Sequence, residues 1–378
     1  MTGTHPDAPR IVIIGGGITG LACALRLQEL TTATPGDGPS AAALPRAHLS
    51  LLEAAGRPGG KLVSHRVQGF VVDAGADIFV ASKPAAMKFC QAIGIADRVI
   101  GTDATRRRTF VRQGSTLVPA THYGAERLAT LEGGMQELVN GAVRALHAVE
   151  TITACAAESI AADQDGAGYL VRTAGRSVAA DAIVIAVPAR AAAALLRPLA
   201  PEAAALLDAV RYRSSFTVSA AFRADDVPHP LDGYGYVVPA ALAGEVSACT
   251  WTSSKIPSRA PASYVLLRGY VHGAPNLTTA DARRLVLDEF RAVLGVAAAP
   301  LFTRQHEWRD ALPVGRDDHD AAADAVRSAL VAHPGIAIAG GAVDGVGIPD
   351  SIDSGQVAAE RVWHHVTTLH AGNMSTRQ

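Results

Sequence analysis

Residues 11–21, IVIIGGGITGL, constrain this chain more than any other stretch. A short aliphatic run stops at Gly15, Gly16 and Gly17, and a helical pattern follows at once from Ile18 and Thr19. That order is strand, tight turn, helix. The spacing Gly15-x-Gly17-x-x-Gly20 is the dinucleotide fingerprint: one glycine for the turn, one for close approach of a pyrophosphate, one for packing the helix on the sheet. A helix starting there aims unpaired N–H groups and its positive dipole end at phosphates. The stretch predicts a mononucleotide-binding βα unit at the head of an α/β domain.

Bulk properties narrow the function by exclusion. At 378 residues the chain can hold two domains and a large core, and its net charge of −1 gives no general attraction to nucleic acid or anionic membranes. Cys23, Cys90, Cys155 and Cys249 are far apart and form no CxxC pair, so neither a disulfide framework nor a metal site is expected. Cys23 falls on the first helix and reads as a small buried residue rather than a nucleophile. No apolar run approaches the ~20 residues needed to span a bilayer. The longest, residues 182–196, is cut by Pro188 and Arg190. The N-terminus lacks the pattern of a signal peptide, and a soluble, cytoplasmic protein is expected.

The first βα unit runs from Arg10 to about Leu30, and residues 31–46, rich in Thr, Pro, Gly, Ser and Ala, read as a surface excursion. The second strand, HLSLLE, ends in Glu53, where a carboxylate can accept both hydroxyls of an adenosine ribose. We read Glu53 in that role rather than as a solvated strand-end acid. A second glycine-rich turn, RPGGK at 57–61, follows immediately and suits a ligand larger than a nicotinamide dinucleotide, laid along the sheet edge. Residues 83–94 predict a helix with Pro early and Gly at its end, and 106–118 a hairpin. A helix is expected from 131 to about 147, buried parallel-type strands at 181–188 and 331–339, alternating antiparallel strands from 211 to 271, and a helix over 279–294. Parallel-type segments at the start, middle and end thus enclose an antiparallel one. The expected fold is α/β: a Rossmann-like dinucleotide-binding domain (8–80, 126–190, 331–370) interleaved with an α+β substrate domain on an antiparallel sheet (81–125, 191–330).

Seven stretches carry a resemblance that identifies the dinucleotide and the domain it implies. The stretches GGGITGLACALRLQ, LLEAAGRPGGK, GFVVDAGADIFVASKPA, TLEGGMQELV, ADAIVIAVPA, ACTWTSSKIPSRAP and AGGAVDGVGIPDSIDSG occur in family order. Together they resemble the FAD-dependent oxidases of the amine-oxidase and phytoene-desaturase group, most closely the porphyrinogen oxidases of haem biosynthesis. The resemblance implies that Gly15, Gly16, Gly17, Ile18, Thr19 and Gly20 hold the pyrophosphate and Glu53 the ribose, with Ala54 beside it. Arg57, Gly60 and Lys61 would line the cofactor channel, and Gly75, Ala76, Asp77 and Ile78 would approach the flavin ring. Val346, Gly347, Ile348 and Pro349 would bring main-chain N–H groups to its pyrimidine end, where a helix start stabilises the negative charge of reduced flavin. Lys83 matches a basic position that faces a substrate propionate in the resembling enzymes; the alternative is a surface lysine at a helix start.

The implied reaction is transfer of a hydride from a methylene bridge of a porphyrinogen to flavin N5, with dioxygen as the final oxidant. Two departures bear on the substrate half. The family carries a long helical insertion where this chain has only residues 119–129, and a longer continuation after the Trp308 stretch. A shortened substrate cavity follows, one that a protein partner or a second copy could cover. A compact amine or dihydronicotinamide oxidase, and a non-catalytic FAD- or tetrapyrrole-binding partner protein, stay open as alternatives.

Overall fold

The computed structural model describes residues 8–32, 46–120, 127–163, 168–239, 246–273, 276–314 and 319–375. Most of the excursion at 31–46, and residues 121–126 of the short bridge, lie outside them.

The fingerprint strand Arg10–Ile14 is the centre of a five-stranded sheet, in the order Val149–Ile152, His48–Leu52, Arg10–Ile14, Ala182–Ile185, Ile336–Ile338. Every neighbouring pair is parallel. Alternation in the central strand serves two cores. Ile11 and Ile13 face one, with the helices Ile18–Thr32, Gln136–Ala145 and Ile348–Ser375. Val12 and Ile14 face the other, with Ala189–Leu196, Pro201–Asp208 and His319–Ala329. All four are buried, each contributing about 1.5–3 kcal/mol. The first and final helices pack directly on each other. A Cβ at Gly355 would lie 2.2 Å from the Thr19 carbonyl oxygen, so the crossing requires glycine there.

A seven-stranded sheet forms the second body, in the order Phe302–Pro313, Tyr212–Arg223, Tyr264–His272, Val246–Trp251, Gly235–Val237, Thr109–Gln113, Thr116–Pro119. It is antiparallel except where Gly235–Val237 runs parallel to Thr109–Gln113. The helix Thr279–Leu294 covers one face; it starts with a Thr278–Asp281 capping box and ends at Gly295 with φ 70°. A Cβ at Gly269 would lie 2.5 Å from Val286 on that helix. Leu267, Gly269 and Val271 therefore face the helix, and Leu266, Arg268 and Tyr270 face the opposite way, by the two-residue period of a strand.

The α/β architecture, with two main sheets and three smaller ones among the described residues, is the one expected, and several local readings change. Residues 128–131 are a strand and the helix starts only at Gln136. The strand expected at 331–339 shrinks to Ile336–Ile338, because Val331 follows a helix and is exposed. Phe302–Pro313, which has no clean alternation, becomes a twelve-residue edge strand. Phe89 and Ile95 join the core of the first helix, while Ala192, Leu207 and Val326 join the core behind the parallel sheet. Small alanine-rich helices cover a sheet face without the large side chains that mark a core in sequence. No helix among the described residues is long and apolar enough to cross a membrane.

Candidate flavin and substrate site

The carboxyl ends of the parallel strands open into a cavity of about 680 Å³ that continues under the antiparallel sheet. At its floor Gly15 has φ +106°, and its N–H donates to the Leu52 carbonyl at 2.8 Å. A Cβ at Gly15 would meet the Ala186 carbonyl oxygen at 2.5 Å, and one at Gly20 the Gly15 oxygen at 1.8 Å. Gly17 differs: a Cβ there would meet nothing within 4 Å, because this position borders the cavity. Two glycines thus serve the turn and the packing, and the third leaves room for a ligand. Ile18 and Thr19, opening the first helix, also line the cavity.

Glu53 is held at the strand end by main chain. Its Oε2 accepts from the Gly16 N–H and its Oε1 from the Ala55 N–H, each at 2.7 Å. Both oxygens keep a lone pair, and Glu53 and Ala54 line the cavity, so the carboxylate fits a pair of ribose hydroxyls. Gly59 N–H donates to Gly16 O at 2.7 Å, which pins the second glycine turn to the first. Gly60 and Lys61 line the cavity; Arg57 instead folds back onto the carbonyls of Pro58 and Gly60. Burial lowers the pKa of Lys61, whose Nζ donates to the Ala311 carbonyl.

Residues 73–77 form a shelf between the two bodies, set by buried charge. Asp73 accepts from Ser64 Oγ at 2.6 Å, Met135 N–H at 2.8 Å and Arg259 Nε at 3.0 Å. Lys255 Nζ lies 3.1 Å from Asp77 Oδ2. Burial opposes ionisation of Asp77, yet Lys255 and Arg268 outweigh it and hold its pKa below the ordinary carboxylate value. The Ala74 carbonyl accepts from Thr217 Oγ1, Arg268 Nη2 and Trp308 Nε1 at 2.8, 2.9 and 3.0 Å. Gly75 packs so tightly that a Cβ would sit 1.9 Å from Lys61 O. Gly75, Ala76 and Asp77 line the cavity; Ile78 does not.

The opposite wall comes from the C-terminal turn. Gly340 and Gly345 have φ +107° and +117°, and Ser354 Oγ accepts from the Gly340 N–H at 2.7 Å while donating to Asp344. This delivers Val346 and Ile348 to the cavity at the start of the final helix, with Gly347 and Pro349 in the same turn but not on its lining. Lys83 also stays off the lining: its Nζ donates to Asp350 Oδ1 at 2.6 Å.

Flavin containing amine oxidoreductases match residues 18–123 and 120–363. The chain belongs to that family. Its cofactor is FAD, and the open Gly17, the two-sided Glu53 and the final-helix start suit a cofactor laid out at full length. Among similar proteins, the coproporphyrinogen III oxidase of Bacillus subtilis is 32% identical over 190 residues, 49% of this chain and 40% of that protein. The Propionibacterium freudenreichii coproporphyrinogen III oxidase is 34% identical over 245 residues, 63% of this chain and 45% of that protein. This chain thus matches less than half the length of either relative. A crystal structure of a candidate protoporphyrinogen oxidase from Exiguobacterium superposes with a TM-score of 0.82 over 94% of this chain and 99% of that one, at 21% identity.

Sequence reasoning did not assign Lys255, Arg259, Thr217, Arg268 or Trp308 to the site. The available signals were basic residues in apolar surroundings: Lys255 and Arg259 in TWTSSKIPSRAP, and Arg268 inside YVLLRGYV.

Proposed function

We propose that this flavoprotein dehydrogenates a porphyrinogen, coproporphyrinogen III or protoporphyrinogen IX, to the porphyrin with dioxygen, in haem biosynthesis. The observation that carries the reading is one cavity running from the fingerprint glycines to the inner face of the antiparallel sheet, with room beyond the dinucleotide floor. The relatives' names supply the substrate class.

The chemistry that FAD supplies when bound is hydride acceptance from a saturated bridging carbon and reoxidation by dioxygen. The chain's own residues bind and orient. Gly15–Gly20 and Glu53 hold the nucleotide, the 73–77 shelf fixes the ring position, and the final-helix start supplies positive potential for the reduced state. Tyr212, Tyr270, Trp308 and Pro313 line the space under the sheet with apolar and aromatic surface suited to a tetrapyrrole. Aromatisation drives the reaction, so orientation is the main demand on the protein. Leu312 and Val346 line the cavity and are exposed at its edge, and a protein partner or a second copy would pack there.

The test is aerobic addition of coproporphyrinogen III and protoporphyrinogen IX to the purified yellow protein. Porphyrin fluorescence appearing at a rate proportional to enzyme supports the proposal. Full FAD occupancy with no fluorescence above the autoxidation rate rejects it and favours the binding-partner alternative. Turnover of amines alone would favour the amine-oxidase alternative.

A further inference from the structure

Lys61 crosses the cavity from one body of the fold to the other. Its main chain is clamped at the floor: a Cβ at Gly60 would lie 3.3 Å from Gly17 Cα, and one at Gly75 1.9 Å from the Lys61 oxygen. Its side chain reaches the antiparallel sheet, where Nζ donates to the Ala311 carbonyl. A bulge offers that carbonyl. Residues 309–311 of the edge strand stand opposite Ser214 alone, and Asp310 takes φ +42° with its N–H donating to Ser214 Oγ at 2.9 Å. Ala311 has no partner in the ladder and faces Lys61 instead.

The Lys61 side chain is walled in along its stem yet exposed to the cavity that it lines. It makes no ion pair among the described residues, and the group it touches is an uncharged carbonyl. Asp310, the carboxylate next to Ala311 in sequence, turns to Arg190 at 3.5 Å, and Arg57 folds onto its own turn. Enclosure without a counter-charge disfavours the ammonium and lowers its pKa, the condition under which a lysine serves as a general base.

The other titratable groups on the lining are committed elsewhere. Glu53 is held by the N–H groups of Gly16 and Ala55 at the ribose end, and Cys155 lies beside it, its N–H 2.9 Å from the Glu53 carbonyl oxygen. Asp77 is paired with Lys255 and kept ionised by it and by Arg268, so it is a weak proton acceptor. Tyr212 Oη accepts from the Ala189 N–H at 2.9 Å, and burial raises its pKa. Arg268 keeps its proton and lies over the Tyr270 ring. No histidine lines the cavity among the described residues.

We propose that Lys61 Nζ is the base that takes the pyrrole proton released when a porphyrinogen is dehydrogenated. In each two-electron round a C–H bond of a methylene bridge breaks and its hydride passes to the oxidised flavin. The N–H bond of an adjoining pyrrole breaks as well; its electron pair stays in the ring system, and the proton bonds to Nζ, converting the amine to an ammonium. The Ala311 carbonyl, already bonded to Nζ, stabilises that ammonium until it returns the proton to water. The inference rests on the porphyrinogen reading for its substrate and makes Lys61 a catalytic residue.

The experiment compares wild type, Lys61→Met and Lys61→Arg as FAD-loaded proteins, with rates taken per bound flavin. The chain has four lysines, so dimethylation with isotopically labelled formaldehyde gives few signals, and the Lys61 signal is identified by its loss in Lys61→Arg. Titrating that signal by NMR gives the Lys61 midpoint without turnover. On unmodified protein, anaerobic flavin bleaching by coproporphyrinogen III is followed across neutral and alkaline pH. The expected Lys61 midpoint lies below the ordinary lysine value of 10.5, and the wild-type rate climbs with pH through the same midpoint. Both variants are expected to lose that limb and to fall about a hundredfold or more on the plateau, with free methylamine restoring part of the Lys61→Met rate. A wild-type rate in Lys61→Arg, which keeps a cation unable to accept a proton, would overturn the inference and make Lys61 a holder of an anion. An unchanged limb in Lys61→Met, or a Lys61 signal titrating at 10.5, would overturn it too. A wild-type flavin that coproporphyrinogen III never bleaches rejects the oxidase proposal and this inference together, a result distinct from turnover that is indifferent to Lys61.

Discussion

At the residue scale, the three fingerprint glycines separate into different physical jobs. Gly15 and Gly20 are bounded by backbone within 2.5 Å of a would-be Cβ, and Gly17 by open cavity. Gly17→Val is therefore expected to fold with stability within about 0.5 kcal/mol of wild type, yet to purify without flavin. Thermal unfolding together with the flavin spectrum checks both halves. Asp77 gives a second prediction. Its pKa is depressed in the folded state, so its contribution is fully present above the ordinary value of 3.8 and is lost as pH falls through the lower folded value. Asp77→Asn leaves Lys255 buried without its counter-charge and is expected to cost about 3–5 kcal/mol. In urea titrations that deficit should persist from pH 7 to pH 5 and shrink below 3.8. The glycine spacing and Glu53 were legible in sequence because their chemistry is local. Asp77 was legible only by resemblance, and its partner Lys255 stands 178 residues away.

At the element scale, the site depends on how the first and final helices meet. Their crossing brings the turn at 340–348 to the fingerprint, and Gly355 against the Thr19 carbonyl sets the distance. Gly355→Ala forces a Cβ into backbone and is expected to destabilise by about 1–3 kcal/mol. It should weaken FAD retention in parallel, unlike Gly17→Val, which separates the two. Flavin release followed during thermal unfolding distinguishes the cases. The helix 279–294 could be read from sequence to the residue, since its capping box and terminal glycine are punctuation written in side chains. The edge strand Phe302–Pro313 could not. Its burial is mixed along its length: Phe302 packs on Phe70 at one end, and at the other Trp308, Ala311 and Pro313 border the cavity between exposed Arg309, Asp310 and Leu312.

At the scale of the whole molecule, the interleaved chain lines one cavity with residues from the parallel-strand ends below and from the antiparallel sheet above. The residues lining its lower side could be read from sequence because they lie in contiguous stretches. Those lining its upper side could not, since Thr217, Arg268 and Trp308 come from three strands that meet only through antiparallel register. The central claim is that electrons from a porphyrinogen pass to FAD held in this cavity. Anaerobic mixing of the yellow protein with coproporphyrinogen III tests it most directly. The account predicts bleaching of the flavin absorbance as each FAD takes two electrons, and, on admission of air, return of the yellow colour with porphyrin appearing over the three rounds of oxidation that its formation requires. A flavin that stays oxidised in the presence of excess porphyrinogen would contradict it.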